Sequence, residues 1–342
     1  MVEDKPISIG LVAYILGMSS KKLHRWYQNV LSGFTQAQEK GELDKDNLHI
    51  IEKGKYIDIS VPIFKERNLG EQMAIDEKTI NGTCYTILSN RNTGKIALMA
   101  DTLKTEYLMK IIGRIDIDRR MSVKSLSRDM APNYDWLGRQ AFMNAYHIAD
   151  KFHVVKIILE QLQASRIFYR QEELSKRREA KQNSESYSET VLSNGDTILQ
   201  LLARSRGLLF LFPQQWSEQQ KQRSIVLFEL FPEIEKVYRH VIEIRRWYKP
   251  TKAKTTYQKT RDRKKKQIKD IIKKLIKSAN EELKNIAFML KRNMNPILHY
   301  FIAKESNAKA EALNRNLQRF VNTNYGARNI QFFLFRVKIH FA

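Results

Sequence analysis

Three carboxylates stand in settings from which they could share metal ions. Asp76 closes the apolar run Met73-Ala74-Ile75, and Asp129 closes the run from Val123 to Arg128 and precedes Met130. Glu311 lies in the helix-like stretch Ser306 to Asn314. Two aspartates at strand ends and a glutamate on a late helix can converge on Mg²⁺, which prefers hard oxygen ligands. A carboxylate site holding two such ions, with Mn²⁺ as a substitute, can activate a water or a 3′-hydroxyl and stabilise the oxygen that leaves a phosphodiester. In this arrangement Asp76 bridges both ions, and Asp129 and Glu311 each hold mainly one. Glu305 competes for the third role. Glu77 is a weaker candidate, because consecutive strand residues point to opposite faces.

The remaining composition suits a polyanion partner. The chain has 342 residues, with 60 Lys+Arg against 37 Asp+Glu and a formal charge of +23, an excess too large for a typical metabolic enzyme. Nucleic acid is the first expectation and an anionic membrane surface the second. Apolar runs such as Leu208–Phe212 are far too short to span a bilayer. The acidic N-terminus Met1–Pro6 does not read as a signal peptide. Cys84 is the only cysteine, which excludes a disulfide or a Cys-based zinc site within the chain and suits a reducing, cytoplasmic setting.

The elements that would position the acids follow from periodicity. Residues 8–34 read as a helix-turn-helix. Ser8 caps a helix with Leu11, Val12, Ile15 and Leu16 on its apolar side, and Gly17 makes the turn. Ser19 or Ser20 caps a second helix that buries Leu23, Trp26 and Leu31. The spacing of Ala13, Gly17 and Leu23 is that of DNA-reading units, and Lys21, Lys22 and Arg25 then face outward. Residues 35–70 read as a connector with two weak strands, at His49–Ile51 and Tyr56–Ile59. From 71 to 160 the pattern is α/β. Strands at Met73–Asp76, Cys84–Leu88 and Lys95–Met99 are separated by Asn81-Gly82 and Asn92-Thr93-Gly94 turns. A helix capped by Thr102, a strand at Val123–Asp129, a helix at Tyr134–Met143 and a strand at Ala145–Ala149 follow. That order is the order of a ribonuclease H-like fold. Residues 161–299 read as a basic helical insertion, and residues 300–342 return to the core with the third acid and an apolar terminal segment.

Taken in order, Ile75-Asp76-Glu77, Arg128-Asp129-Met130, Ala149 through Lys156, Ser306 through Asn314 and Tyr325-Gly326-Ala327-Arg328-Asn329 resemble a bacterial DDE transposase of the ISL-three insertion-sequence family. The resemblance spans residues 8–342. It implies a ribonuclease H-like catalytic core with a large all-helical insertion between the second aspartate and the glutamate, and the long gap from Asp129 to Glu311 has room for it. The expected activity is hydrolysis of a phosphodiester at an element's end, followed by attack of the freed 3′-hydroxyl on target DNA. A homo-oligomer is expected, since two ends are handled together. Asp150 and His153 resemble a Cys-or-Asp, x, x, His signature of related transposases and are secondary candidates for the site. Relatives often carry a Cys-rich zinc segment before the helix-turn-helix. Here it is either absent or supplied by a separate zinc-binding accessory chain.

Further residues have DNA-binding chemistry. Arg263, Lys264, Lys265 and Lys266 form a basic run suited to neutralising backbone phosphates. Trp247 offers a surface on which an unpaired base could stack. Arg315 and Arg319 share the helix of Glu311 and could position the transferred strand. Two other functions fit the same residues: a helix-turn-helix regulator with a decayed core, and a nuclease without strand transfer.

Overall fold

The computed structural model describes residues 7–183, 189–249, 257–301, 308–324 and 329–342, with 257 and 308–311 described by their backbone alone. The chain is mixed α/β and divides into two units, residues 1–148 with 303–342 and residues 149–302.

The first unit holds eight strands: β1 (Leu48–Glu52), β2 (Lys55–Ile59), β3 (Ile63–Phe64), β4 (Gln72–Ile80), β5 (Thr83–Asn90), β6 (Ile96–Ala100), β7 (Ser125–Arg128) and β8 (Tyr146–Ala149), the last ending at the unit boundary. β1 and β2 form a separate hairpin, and the other six make one sheet in the order β3-β6-β5-β4-β7-β8. β4, β5 and β6 run antiparallel in turn, and β7 lies parallel to β4. Asn81 and Gly82 both have positive φ, 48° and 86°, which is the backbone of a two-residue hairpin turn whose twist matches its strands. The sheet begins earlier than the sequence pattern suggests. Ile63 of the expected connector pairs with Met99 and is fully buried.

Strand alternation divides the sheet's two faces between two cores. Met73, Ile75, Leu88, Leu98 and Leu126 pack with Tyr107, Leu108, Ile111, Tyr134 and Leu137 of the helices Thr105–Ile112 and Pro132–Ala141. Ile80, Tyr85, Ile87, Ile96 and Met99 pack with Leu313, Leu317 and Phe320 of the helix Ala308–Thr323 and with Phe333, Leu334 and Val337 of the helix Ile330–Phe341. Both faces are covered, which explains why β6 is buried along its whole length. Thr102 does not cap the helix after β6. The helix starts at Thr105, and the Thr102 hydroxyl instead accepts from the Lys104 N–H, shaping the approach turn.

The N-terminal helices Ile9–Ile15 and Ser20–Trp26 form as expected, with Ser8 accepting from the Leu11 N–H and Gly17 at φ 63°. Their buried face is rotated from the expected one. Ile9, Val12, Ala13, Leu23, Tyr27 and Phe34 close around Phe332 of the terminal helix, whereas Leu11, Ile15, Leu16, Trp26 and Leu31 are exposed. The cap at Ser8 starts the helix at Ile9, so the inward stripe is 9, 12 and 13, and the partner that selects it lies more than 300 residues away.

The second unit is helical. The helix Lys151–Gln182 runs unbroken for 32 residues, so positions 151–160 are the start of a helix of this unit. A buried Asp196 joins two further helices by accepting from Arg204 at 2.5 Å and Arg223 at 2.8 Å.

Candidate active site

Asp76 projects from the middle of β4 on the face opposite Met73 and Ile75, where its register partner is Ile87. Its Oδ1 accepts from the Glu77 N–H at 2.8 Å, and its Oδ2 accepts from the Asn314 side-chain amide at 2.8 Å. The second bond ties the first acid to the helix Ala308–Thr323. Position 311 lies on that helix one turn before Asn314, and residues three apart share a helical face. The Glu311 side chain itself lies outside the described residues, as does Glu305. Glu77 points to the other face, where the Tyr134 hydroxyl donates to its Oε1 at 2.7 Å. Burial pushes that phenol's pKa up, so it stays a donor.

Asp129 directly follows β7. The parallel register pairs Gln72 with Ser125, Met73 with Leu126 and Ala74 with Ser127. β7 ends at Arg128; carried on by two residues, the same register would bring Asp129 level with Asp76 on the neighbouring strand. Asp129 is half-buried, and one of its oxygens accepts from the Met130 N–H. Two carboxylates on neighbouring strands repel each other unless a cation lies between them. Their hard oxygens fit Mg²⁺. Among the described residues no group of three His, Cys, Asp or Glu side chains is placed to hold a metal, and the third expected donor is Glu311.

A buried network holds the second acid from behind. Arg128 is 3% exposed, and its Nη1 donates to the backbone carbonyl of Asp129 at 2.8 Å. Its Nη2 pairs with Asp135, which is also bound by Arg139 at 2.9 Å. Its Nε donates to His147 Nδ1 at 3.2 Å. A proton on Nδ1 would serve the Asp135 oxygen 3.3 Å away but would face the Arg128 donor, so the two contacts exclude each other. Burial, and then the Arg128 charge, lower the imidazole pKa, which places Nδ1 as the acceptor of a neutral ring. Gly138 lets this ring approach, since a Cβ there would meet His147 Cε1 and Leu126 Cδ2 at 2.8 Å.

This network predicts a pH dependence. The folded pKa of His147 lies below its ordinary value of 6.5, so the unfolded chain takes up the proton first as pH falls. Stability is therefore complete above about pH 6.5 and declines below it. The urea midpoint should fall between about pH 7 and pH 5, and His147→Gln should flatten that fall. An equal slope in the variant would place its source elsewhere.

A family model described as a transposase, of the DDE type named for ISL3, matches residues 73–337. The chain belongs to this transposase family. The match takes in Asp76, Asp129 and Glu311 and the whole helical unit between the last two. No curated protein and no solved structure matches the chain. No helix among the described residues is long and apolar enough to cross a membrane.

The remaining expected site residues of the transposase fall into different places. Lys21, Lys22 and Arg25 are exposed on the second helix, and Arg315 and Arg319 are exposed on the helix of Glu311. Asp150 caps the helix Lys151–Gln182, accepting from the Phe152 N–H at 2.8 Å, and half-buried His153 follows in its first turn. Arg263 and Lys266 are exposed and Lys265 is half-buried. Lys264 is not a DNA-facing residue. It is 3% exposed, its ammonium donates to the carbonyls of Trp247 and Lys249, and it lies 4.7 Å from the Phe301 ring centroid. Trp247 is not a stacking surface either. It is 6% exposed, and its indole N–H donates to the Lys264 carbonyl at 3.2 Å. On a helix, 264 falls on the stripe of Ile268, Ile271 and Leu275, and that stripe is buried. The network of Arg128, Asp135 and His147 went unseen in the sequence. Its one local signal is the i,i+4 spacing of Asp135 and Arg139.

Proposed function

We propose that the chain is a metal-dependent DNA transposase with a ribonuclease H-like core, acting at the ends of an insertion sequence by hydrolysis and strand transfer. The observation that supports this reading is the parallel pairing of β4 with β7, which leads Asp129 toward the level of Asp76, together with the bond from Asn314 that joins Asp76 to the helix of position 311. Asp76, Asp129 and Glu311 would hold two Mg²⁺ ions, with Asp76 serving both. When bound, such ions supply charge stabilisation to the attacking and leaving oxygens. Asn314 fixes the Asp76 carboxylate, and Arg128 fixes the backbone that carries Asp129. A homo-oligomer would bring two ends together, and a zinc-binding accessory chain is a candidate partner for end recognition. The protein would work in the cytoplasm, on the nucleoid.

The test is incubation of the full chain with Mg²⁺, a duplex carrying the element's end, and target DNA. Cut ends bearing 3′-hydroxyls and their joining to target are expected. Supplying pre-cleaved ends separates transfer from cutting, and absence of both products would overturn the reading.

The exposed cations of the second helix give a separate expectation. Replacing Lys21, Lys22 and Arg25 together with Ala should weaken end binding while the melting temperature stays unchanged, each lost base contact costing about 1–3 kcal/mol. Titration of labelled end duplex checks this, and unaltered affinity would remove the helix from recognition. Charge reversal at Arg263, Lys265 and Lys266 should weaken binding regardless of sequence and reduce its salt dependence.

A further inference from the structure

The first unit contains a cavity of about 570 Å³ between the second N-terminal helix and the terminal helix Ile330–Phe341. Lys21, His24 and Arg25 line one wall, and Asn329 and Arg336 line the other. None of its described lining residues is acidic. Lys21 and Arg25 have no ion-pair partner among the described residues.

Arg336 is the unusual member. It is 2% exposed, yet no described carboxylate pairs with it. Its Nη1 donates to Asn324 Oδ1 at 2.8 Å and its Nη2 to the Ile7 carbonyl at 3.2 Å, the Tyr27 side chain is a further polar partner, and its buried Nε has no acceptor. The guanidinium lies 4.9 Å from the Phe320 ring centroid and 5.7 Å from that of Tyr27, which offsets part of its desolvation. A buried charge without a counter-charge is costly. An anion in the same cavity would offset part of that cost.

The backbone adds a second attraction. The terminal helix has 12 residues and begins at this cavity, with Asn329 as its N-cap and Phe332 and Phe333 on the lining. The Asn329 side chain takes the Phe332 N–H at 2.9 Å, so what the helix start adds at the cavity is the positive end of its macrodipole.

We infer that this cavity is a phosphate site that takes one backbone phosphodiester of bound DNA, with Arg336 and the terminal helix holding the phosphate while Lys21 and Arg25 reach the duplex beyond it. The inference rests on the DNA-binding reading above. It assigns the C-terminal helix a part in DNA binding, so that the N-terminal module does not grip DNA alone. It also accounts for a buried arginine that the catalytic site does not use.

The test measures DNA affinity of the full chain as a function of salt, for the wild type, Arg336→Gln, Arg336→Lys and Asn329→Asp. Aspartate caps a helix as well as asparagine does, so Asn329→Asp should melt like the wild type while placing a carboxylate at the cavity. It and Arg336→Gln should each bind any duplex about tenfold more weakly. The slope of log K against log salt should become shallower by about 0.9, the share of one phosphate. Arg336→Lys should keep the wild-type slope. If Arg336→Gln does not fold, Asn329→Asp carries the test alone.

An unchanged slope in Asn329→Asp overturns the inference. So does a cavity that serves free anions only, seen as a rise in melting temperature with inorganic phosphate over chloride at matched ionic strength, with no change in DNA slope. A wild type with no salt-dependent DNA binding defeats the DNA reading itself, a result distinct from both.

Discussion

Asp76→Asn, Asp129→Asn and Glu311→Gln should each abolish cleavage and strand transfer in Mg²⁺, by about 10³-fold or more, while DNA binding persists. Each substitution keeps shape and hydrogen-bonding capacity and removes only the charge that a divalent ion requires. Asp76→Asn isolates that charge well. An asparagine oxygen can still accept from the Glu77 N–H, and its amide N–H can donate to Asn314 once that side-chain amide turns over, so the tie between β4 and the helix of position 311 can be kept. If the β4–β7 register brings Asp76 and Asp129 close, their mutual repulsion is strongest without metal. The metal-free amide variants should therefore melt no lower than the wild type. Gel assays of nicked and joined products read the activity, and a thermal melt with and without Mg²⁺ reads the fold. Glu305→Gln serves as the control and should retain activity. An inactive Glu305→Gln beside an active Glu311→Gln would move the third role to Glu305. Full activity in all three named variants would falsify the carboxylate mechanism.

Lys264→Glu should destabilise the helical unit by about 3–5 kcal/mol, the range for breaking a buried charge arrangement. The lysine ammonium satisfies two backbone carbonyls and sits against the rings of Phe301 and Trp247. Burial lowers its pKa to about 8. A glutamate there would set an anion against those carbonyl oxygens and leave it without a donor. Lys264→Met keeps the aliphatic stem and should cost less, though two acceptors lose their partner. Reversal at the exposed neighbours Arg263 and Lys266 should leave the melting temperature unchanged and weaken DNA binding. Urea or thermal denaturation separates the two classes. A Lys264→Glu protein that melts like the wild type and loses only DNA affinity would place this lysine on the surface after all.

The contrast between Lys264 and its neighbours shows where local sequence stops informing. Four consecutive cations look alike in one dimension, and a helix sends them in different directions. Only packing of Tyr257–Ile276 against Trp247 decides which one turns inward. Trp247 itself carries no local sign that distinguishes a core indole from one that stacks on a base.

The N-terminal module shows the same boundary. Ser8, Gly17 and the spacing of Ala13, Gly17 and Leu23 were sufficient to place two helices and the turn between them, because caps and positive-φ turns are properties of a few adjacent residues. Which faces are buried depended on Phe332 arriving from the other end of the chain, and it selected Ile9, Val12 and Tyr27 over Leu11, Ile15 and Trp26.

For the candidate site, the sequence by itself placed Asp76 at the end of a strand, which the structure carries on to Ile80, and set Glu77 on its opposite face, because side-chain alternation is local and has a period of two. It also marked the hairpin at Asn81-Gly82 and the acid that follows β7. Tertiary structure alone decided that β7 docks parallel to β4 in the register that pairs Met73 with Leu126, that Asn314 reaches Asp76 from a helix more than 200 residues later, and that Arg128 is buried behind the second acid. Strand pairing and helix docking are settled by the burial of whole faces against partners distant in the chain, and no local period encodes which partner arrives.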